Sequence, residues 1–348
     1  MVRVAMIVSV AAVIMSSLGL AQATPEATPV SQTLPVEQLY QLTGSATDGA
    51  INDTAADYGV YGTDLGSSFL YGDKLYVVFG DTFGENKRDW RSNTLAVATD
   101  LDPTDGITFD RMIEDTPGHA KEILASRKLD HVEMTVIPTY GVAVGDRLYL
   151  HYMSVKHWGP PGQWELGSSG WAYSDDGGEN WTKDEQAIWP GDSNFGQVAI
   201  DEADGYLYIY GIPGGRFGGV QLARVAPEQI LDLASYEYWT GSVWETGAAE
   251  RAATIVDAPV GELSVRWHPY YNKYVMMYLN EHKAAVVLRA ADSPTGPWSD
   301  EYIVATGAEF PALYAPFQLP VFNDGPDIYF TMSQFGPYQV YLMKTRLE

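Results

Sequence analysis

An all-β, five-bladed β-propeller is the fold the sequence predicts, and three observations predict it. A polar turn followed by a strand of Tyr and aliphatic residues recurs five times along the 348 residues. Two of the repeats also carry a Ser/Asp/Gly turn ending in Trp, and helix signals are sparse throughout.

The chain opens with Met-Val-Arg, the apolar run Val4 to Leu20 and then Ala21-Gln22-Ala23, the order of a secretory signal. Residues 1–23 are therefore read as a signal peptide cleaved after Ala23, and the protein as secreted. As a membrane anchor the run is marginal in length, and no later segment is long and apolar enough to span a bilayer. Residues 24–36, with Pro25, Pro29 and Pro35 among Thr, Ala and Ser, read as an extended linker, and 37–348 as the propeller.

The five strands with the shared pattern start at Lys74, Arg147, Tyr206, Lys273 and Asp327, spaced 54 to 73 residues apart when their second positions are compared. Each is preceded by an inner strand across a Gly- or Asp-containing turn, as at Gly72-Asp73 and Gly145-Asp146. A third strand follows each: Asn93 to Ala98, Ser169 to Ser174, Val220 to Val225, Ala284 to Ala290 and Gln339 to Lys344. Fourth strands are legible near Ile107, Trp181, Tyr236 and Trp298, but the chain ends before a fifth. The missing outer strand is expected from the N-terminal side, near Gln38 to Thr43, closing the ring. Glu122 to Lys128 and Pro227 to Leu233 read as short connecting helices. Ser174-Asp175-Asp176-Gly177-Gly178-Glu179-Asn180-Trp181 fits the Asp-box turn S-x-D-x-G-x-x-W, and Asp292 to Trp298 occupies the same place two repeats later.

With 21 Lys and Arg against 45 Asp and Glu, the formal charge is −24, which excludes nucleic acid and anionic lipid as partners. Ten Trp, 23 Tyr and 11 Phe exceed what the core needs and suit flat sugar rings, so the expected partner is a polysaccharide and the expected state a monomer. There is no cysteine, hence no disulfide framework. No cofactor is expected. The six histidines lack H-E-x-x-H spacing, and the Asp100, Asp102, Asp105 run has the wrong spacing for a calcium loop, so no metal site is read. No G-x-S-x-G precedes a helix, which removes the serine elbow.

Propeller ligands sit where the inner strands begin. Asp64 opens the first inner strand and Asp81 closes its hairpin partner, so antiparallel pairing carries both carboxylates to one end of the blade. Such a pair serves glycosidic cleavage, one carboxyl attacking or activating water and the other protonating the leaving oxygen; alternatively both are turn residues beside glycine. Glu133 and Glu262 open the second and fourth inner strands and are candidates to tune a neighbour or bind a sugar hydroxyl. Trp158, Trp164, Trp267 and Tyr314 are candidate stacking platforms, with Trp158 and Trp267 preferred.

On Gly62-Thr63-Asp64-Leu65-Gly66 and Phe79-Gly80-Asp81-Thr82-Phe83, followed by Asn93 and Ser264-Val265-Arg266, the chain resembles the DUF4185 family, also known as glycoside hydrolase family 183, the endo-D-arabinanases. The resemblance runs over most of the mature chain. It implies a five-bladed propeller that hydrolyses α-D-arabinofuranosidic linkages with retention, as in the arabinan of mycobacterial arabinogalactan and lipoarabinomannan. It places the two catalytic aspartates at Asp64 and Asp81, with Asp64 favoured as nucleophile and Asp81 as acid/base. A sialidase would need three converging arginines, which a chain this acidic does not favour. The class-level rival is a noncatalytic propeller that binds envelope glycans.

Overall fold

The computed structural model describes residues 32–322 and 324–347. The expected signal peptide and the start of the expected linker lie outside the described residues. The end of that linker is not a free tether. Thr33 forms a parallel bridge to Ile303, the Leu34 amide donates to the Ile303 carbonyl at 2.8 Å, and the Leu34 side chain is buried.

Among the described residues five antiparallel blade sheets follow in chain order, with a separate two-stranded sheet of Glu114–Thr116 and His119–Ala120. Blade one is Leu65–Tyr71, Lys74–Phe79, Thr94–Ala98 and Arg111–Met112; blade two is Thr135–Val144, Arg147–Trp158, Trp164–Ser174 and Thr182–Pro190. Blade three has Gln197–Ala203, Tyr206–Ile212 and Gly218–Val225, and blade four Leu263–His268, Lys273–Asn280, Ala285–Ala291 and Tyr302–Thr306. Blade five has Leu313–Gln318, Ile328–Gln334 and Gln339–Thr345, and its outer strand is Val36–Gln41, paired with the chain's last strand from Val36 opposite Thr345 to Gln41 opposite Tyr341. The inner strands pack one against the next around the ring, and that of blade five returns to that of blade one. The inner strands start within two residues of the positions that the repeats predict, Asp64, Glu133, Phe195, Glu262 and Tyr314.

The second strands are buried on both faces, which is why they read as continuous apolar runs: Leu75 to Phe79 is wholly buried. Gly72 and Gly145, at φ 61° and 58°, supply the left-handed backbone of the two-residue turns before two of them. Both Trp turns hold their blades. Asp176 accepts from the Asn180 amide at 2.9 Å, Trp181 Nε1 donates to the Gly178 carbonyl at 2.9 Å, and Ser293 Oγ donates to the Gly296 carbonyl at 2.7 Å.

Two expectations are corrected and one is extended. Glu122 to Lys128 is not helical: Asn93 donates to the Leu124 carbonyl and accepts from its amide, both at 2.8 Å, so the blade takes the backbone bonds a helix would need. Pro227 to Leu233 is interrupted, with 3₁₀ turns at Pro227–Gln229 and Leu233–Ser235, because Asp232 caps the second turn by accepting from the Ala234 amide. The outer position of blade three is shared. Glu237–Trp239 pairs with one end of Gly218–Val225 and Thr254–Val260 with the other, while Trp244–Thr246 folds back on Glu237–Trp239. A short helix the sequence reading missed, Thr54–Tyr58, is capped by Asp53 and ended by Gly59 at φ 63°.

Candidate active site

A cleft of about 900 Å³ opens where the inner strands begin, and Asp64, Asp81, Glu262 and Tyr314 all line it. Asp64 reaches it through a bulge. Leu65 pairs with Phe79 but Ser67 with Val78, and Leu65 and Gly66 take φ 68° and 88°, so the strand turns just as it leaves Asp64. A left-handed leucine costs roughly 1–2 kcal/mol. The bonds that hold the bulge come from blade five, where Thr331 Oγ1 donates to the Gly66 carbonyl at 2.9 Å. Asp64 faces Gly80, whose amide donates to its carbonyl at 3.1 Å; a Cβ on Gly80 would contact Asp64 Oδ1 below 3 Å, so the close approach requires glycine.

The two carboxyls have different surroundings. Asp81 Oδ1 accepts from Thr135 Oγ1 at 2.6 Å and from Trp90 Nε1 at 2.8 Å. Burial pushes its pKa up to about 6, against those two donors and the Lys128 ammonium. Asp64 Oδ2 accepts from the Tyr314 hydroxyl at 2.9 Å, while Oδ1 is buried with no hydrogen-bond partner among the described residues. Burial first, and then the Asp81 charge, push its pKa up to about 7, with the Tyr314 and Tyr338 hydroxyls acting the other way. Burial and mutual repulsion thus push the pair toward holding a proton at near-neutral pH.

Glu262 is buried and bound to Arg216, whose Nε and Nη2 both lie 2.9 Å from Glu262 Oε1; Nη1 lies 2.9 Å from Glu281 Oε1. Glu262 Oε2 has no partner among the described residues. Gln197, at the start of blade three, donates to the Gly215 carbonyl at 2.8 Å and so fixes the loop that carries Arg216. Arg216 lies 4.9 Å over the Tyr314 ring, so Tyr314 serves Asp64 through its hydroxyl and presents no open face for stacking.

Trp158 lines the cleft at 37% exposure, set edge-on to Trp164 at 5.5 Å on the hairpin that extends blade two. Trp267 does not reach the cleft. It lies five residues along the inner strand from Glu262, roughly 16 Å toward the other end of the channel, packed edge-on against Tyr274 at 5.0 Å. Glu133 is also outside the cleft lining: it precedes the strand, and its carboxylate accepts from the Arg127 amide at 3.1 Å and Ser154 Oγ at 3.0 Å. The residue of that strand that reaches the pair is Thr135, two positions on. Sequence reasoning missed Trp90, Thr135, Arg216 and Tyr338. Of these only Thr135 had a signal, its place at an inner-strand start.

Fold and site together define a five-bladed propeller that presents a buried pair of acidic side chains from its first blade. The chain belongs to the DUF4185 family: the model described as Domain of unknown function (DUF4185) matches residues 49–344. Among curated proteins it is 25% identical over 325 residues to Notoamide biosynthesis cluster protein J' of Aspergillus versicolor, covering 85% of this chain and 84% of that one. Among solved structures it resembles a putative hydrolase from Bacteroides ovatus (TM-score 0.59, 14% identity, 84% of this chain and 87% of the other). It also resembles an exo-β-1,3-galactanase from Phanerochaete chrysosporium (TM-score 0.53, 10% identity, 91% and 65%). A third match is an α-L-arabinofuranosidase from Podospora anserina (TM-score 0.50, 11% identity, 92% and 99%). At these identities the structural matches speak for the fold.

Proposed function

We propose that this protein is a secreted glycoside hydrolase that cleaves α-D-arabinofuranosidic linkages within arabinan, with retention, through Asp64 and Asp81. The observation that carries the reading is the pair itself: two buried carboxyls in one cleft, one receiving two hydrogen bonds and the other with an oxygen left unpartnered among the described residues, both pushed up in pKa. In support, the propeller relatives named for galactanase and arabinofuranosidase activity share the fold, and the G-T-D-L-G and F-G-D-T-F motifs resemble those of endo-D-arabinanases.

We read the roles in the order opposite to that favoured from sequence, on the two donors to Asp81 and the unpartnered Oδ1 of Asp64. Asp81, fixed by Thr135 and Trp90, is the nucleophile: it attacks the anomeric carbon and forms a glycosyl ester while Asp64 gives its proton to the leaving oxygen. Asp64, now ionised, takes a proton from water, which cleaves the ester and restores both groups. Glu262 Oε2 accepts a sugar hydroxyl. Trp158 and the exposed Phe335 and Tyr61, all on the cleft lining, supply the stacking faces once assigned to Trp267.

Incubation with purified arabinogalactan and a panel of other furanosides tests the reading, with released oligosaccharides and the product anomer followed by NMR. Arabinan fragments that appear first with the substrate's anomeric configuration are expected. An inverted first product overturns the retaining mechanism. Glycan binding with no product from any furanoside returns the noncatalytic carbohydrate-binding propeller.

A further inference from the structure

Outside the cleft, Asp130, His131 and His157 bring three ligating groups together, with one ligand atom from each inside a 4.8 Å span. We propose that they form a binding site for a borderline d-block dication, with Zn²⁺ and Cu²⁺ as its chemical class; this does not depend on the glycosidase reading.

The backbone builds the cluster. Leu129 and Glu133 exchange amide bonds at 3.0 and 2.9 Å, closing a tight turn that holds Asp130 and His131 at its tip. The His131 amide donates to the Lys156 carbonyl at 2.9 Å, which pins the turn onto the strand carrying His157. The two imidazoles then stack, centroids 4.2 Å apart and planes 16° apart. One carboxylate spans both: Asp130 Oδ1 is 2.7 Å from His157 Nδ1, and Oδ2 is 3.7 Å from His131 Nε2.

Two neutral imidazoles and a carboxylate are the donor set that zinc and copper take, at about 2.0–2.2 Å per ligand. All three side chains are solvent-accessible, so small rotations draw the ligands in and leave further positions to water. A dication met in the ring plane by one nitrogen of each imidazole, and by the carboxylate, satisfies all three. The other Asp/His cluster lacks this convergence. His119 spends its two nitrogens on opposite partners, Asp115 at 2.7 Å and Asp89 at 2.9 Å. The proposed site also has a structural consequence. His157 immediately precedes Trp158, so a bound ion ties the 129–133 turn to the hairpin that walls the cleft, close to its 159–163 turn.

Isothermal titration of the untagged protein with ZnCl₂, and thermal unfolding with and without it, test the site. One equivalent with a saturable rise in Tm is expected, and His131→Ala, His157→Ala and Asp130→Asn should each weaken binding about tenfold or more. Cu²⁺ electron paramagnetic resonance provides a readout that needs no variant: hyperfine structure from two imidazole nitrogens is expected, falling to one in His131→Gln. No saturable binding at millimolar Zn²⁺, affinity unchanged in all three variants, or a copper spectrum without two nitrogens would each overturn the proposal.

Discussion

Asp64 and Asp81 are both aspartates in glycine-flanked turns, yet their surroundings divide the labour between them. Asp81 receives two hydrogen bonds on one oxygen, while Asp64 has one bonded and one unpartnered oxygen. Replacement by asparagine keeps the shape and removes charge and acidity, so each variant is expected to lose about 10²–10⁴-fold in turnover while remaining folded. With an activated aryl furanoside, azide should rescue Asp64→Asn with retained stereochemistry and Asp81→Asn with inverted stereochemistry; the opposite pattern would exchange the roles. The pH profile of kcat/KM should be a narrow bell, rising as the pair loses its first proton near pH 6 and falling as it loses the second near 7. Stability carries the same signature. The folded protein keeps the Asp64 proton that the unfolded chain releases near pH 4, so this residue's contribution falls as pH rises from about 4 to about 7 and stays low above. Asp64→Asn should therefore raise Tm relative to the parent at pH 8 and much less at pH 4. An equal effect at both values would contradict the raised pKa.

At the scale of the element, the site depends on how the first hairpin of blade one is bent. The Leu65/Gly66 bulge re-aims Asp64, and Gly80 across the ladder leaves it room. Gly80→Ala is expected to displace the Asp64 carboxyl and abolish activity while near-native circular dichroism persists; activity close to the parent's would show that the approach is not needed. The long hairpin of blade two sets the cleft wall. Trp158→Ala should raise KM by roughly tenfold or less, the worth of one aromatic stack, with little change in Tm. Trp267→Ala should leave KM unchanged and lower Tm, because its ring packs on Tyr274 away from the cleft. Substrate affinity measured for both variants distinguishes them.

For the whole molecule, ring closure is the central fact. The outer strand of blade five comes from Val36–Gln41, so the first and last described strands hold each other, and the buried Leu34 and Leu42 flank that closure. Leu42→Ala should cost about 2–5 kcal/mol, read by denaturant unfolding, and removal of residues up to Gln41 should expose the edge of the last strand and promote aggregation. A monomeric truncated protein with parental stability would show that the closing strand is dispensable. The formal charge of −24 acts at this scale too, and binding of an uncharged furanoside polymer is expected to vary little between low and high salt.

Fold class and blade number were legible in the sequence because each blade repeats one pattern of turn and buried strand, and a local pattern survives in a linear string. Asp64 and Asp81 were legible for the same reason, sitting at the two ends of a single hairpin. What only the tertiary structure decided depends on contacts between blades. Thr135 rather than Glu133 reaches Asp81, since two residues separate a solvated turn from a strand that faces the channel. Trp267 points away because its distance along the strand, not its ring, sets which end of the channel it meets. Arg216 and Tyr338 come to the cleft, and Trp90 to Asp81, from loops whose positions no periodicity encodes, and Asp130 and His131 find His157 only because one turn is hydrogen-bonded onto a neighbouring strand. The proton balance of the aspartate pair follows from burial and from donors of which Thr135 and Tyr314 are supplied by blades two and five, which reach the pair only once the ring has closed.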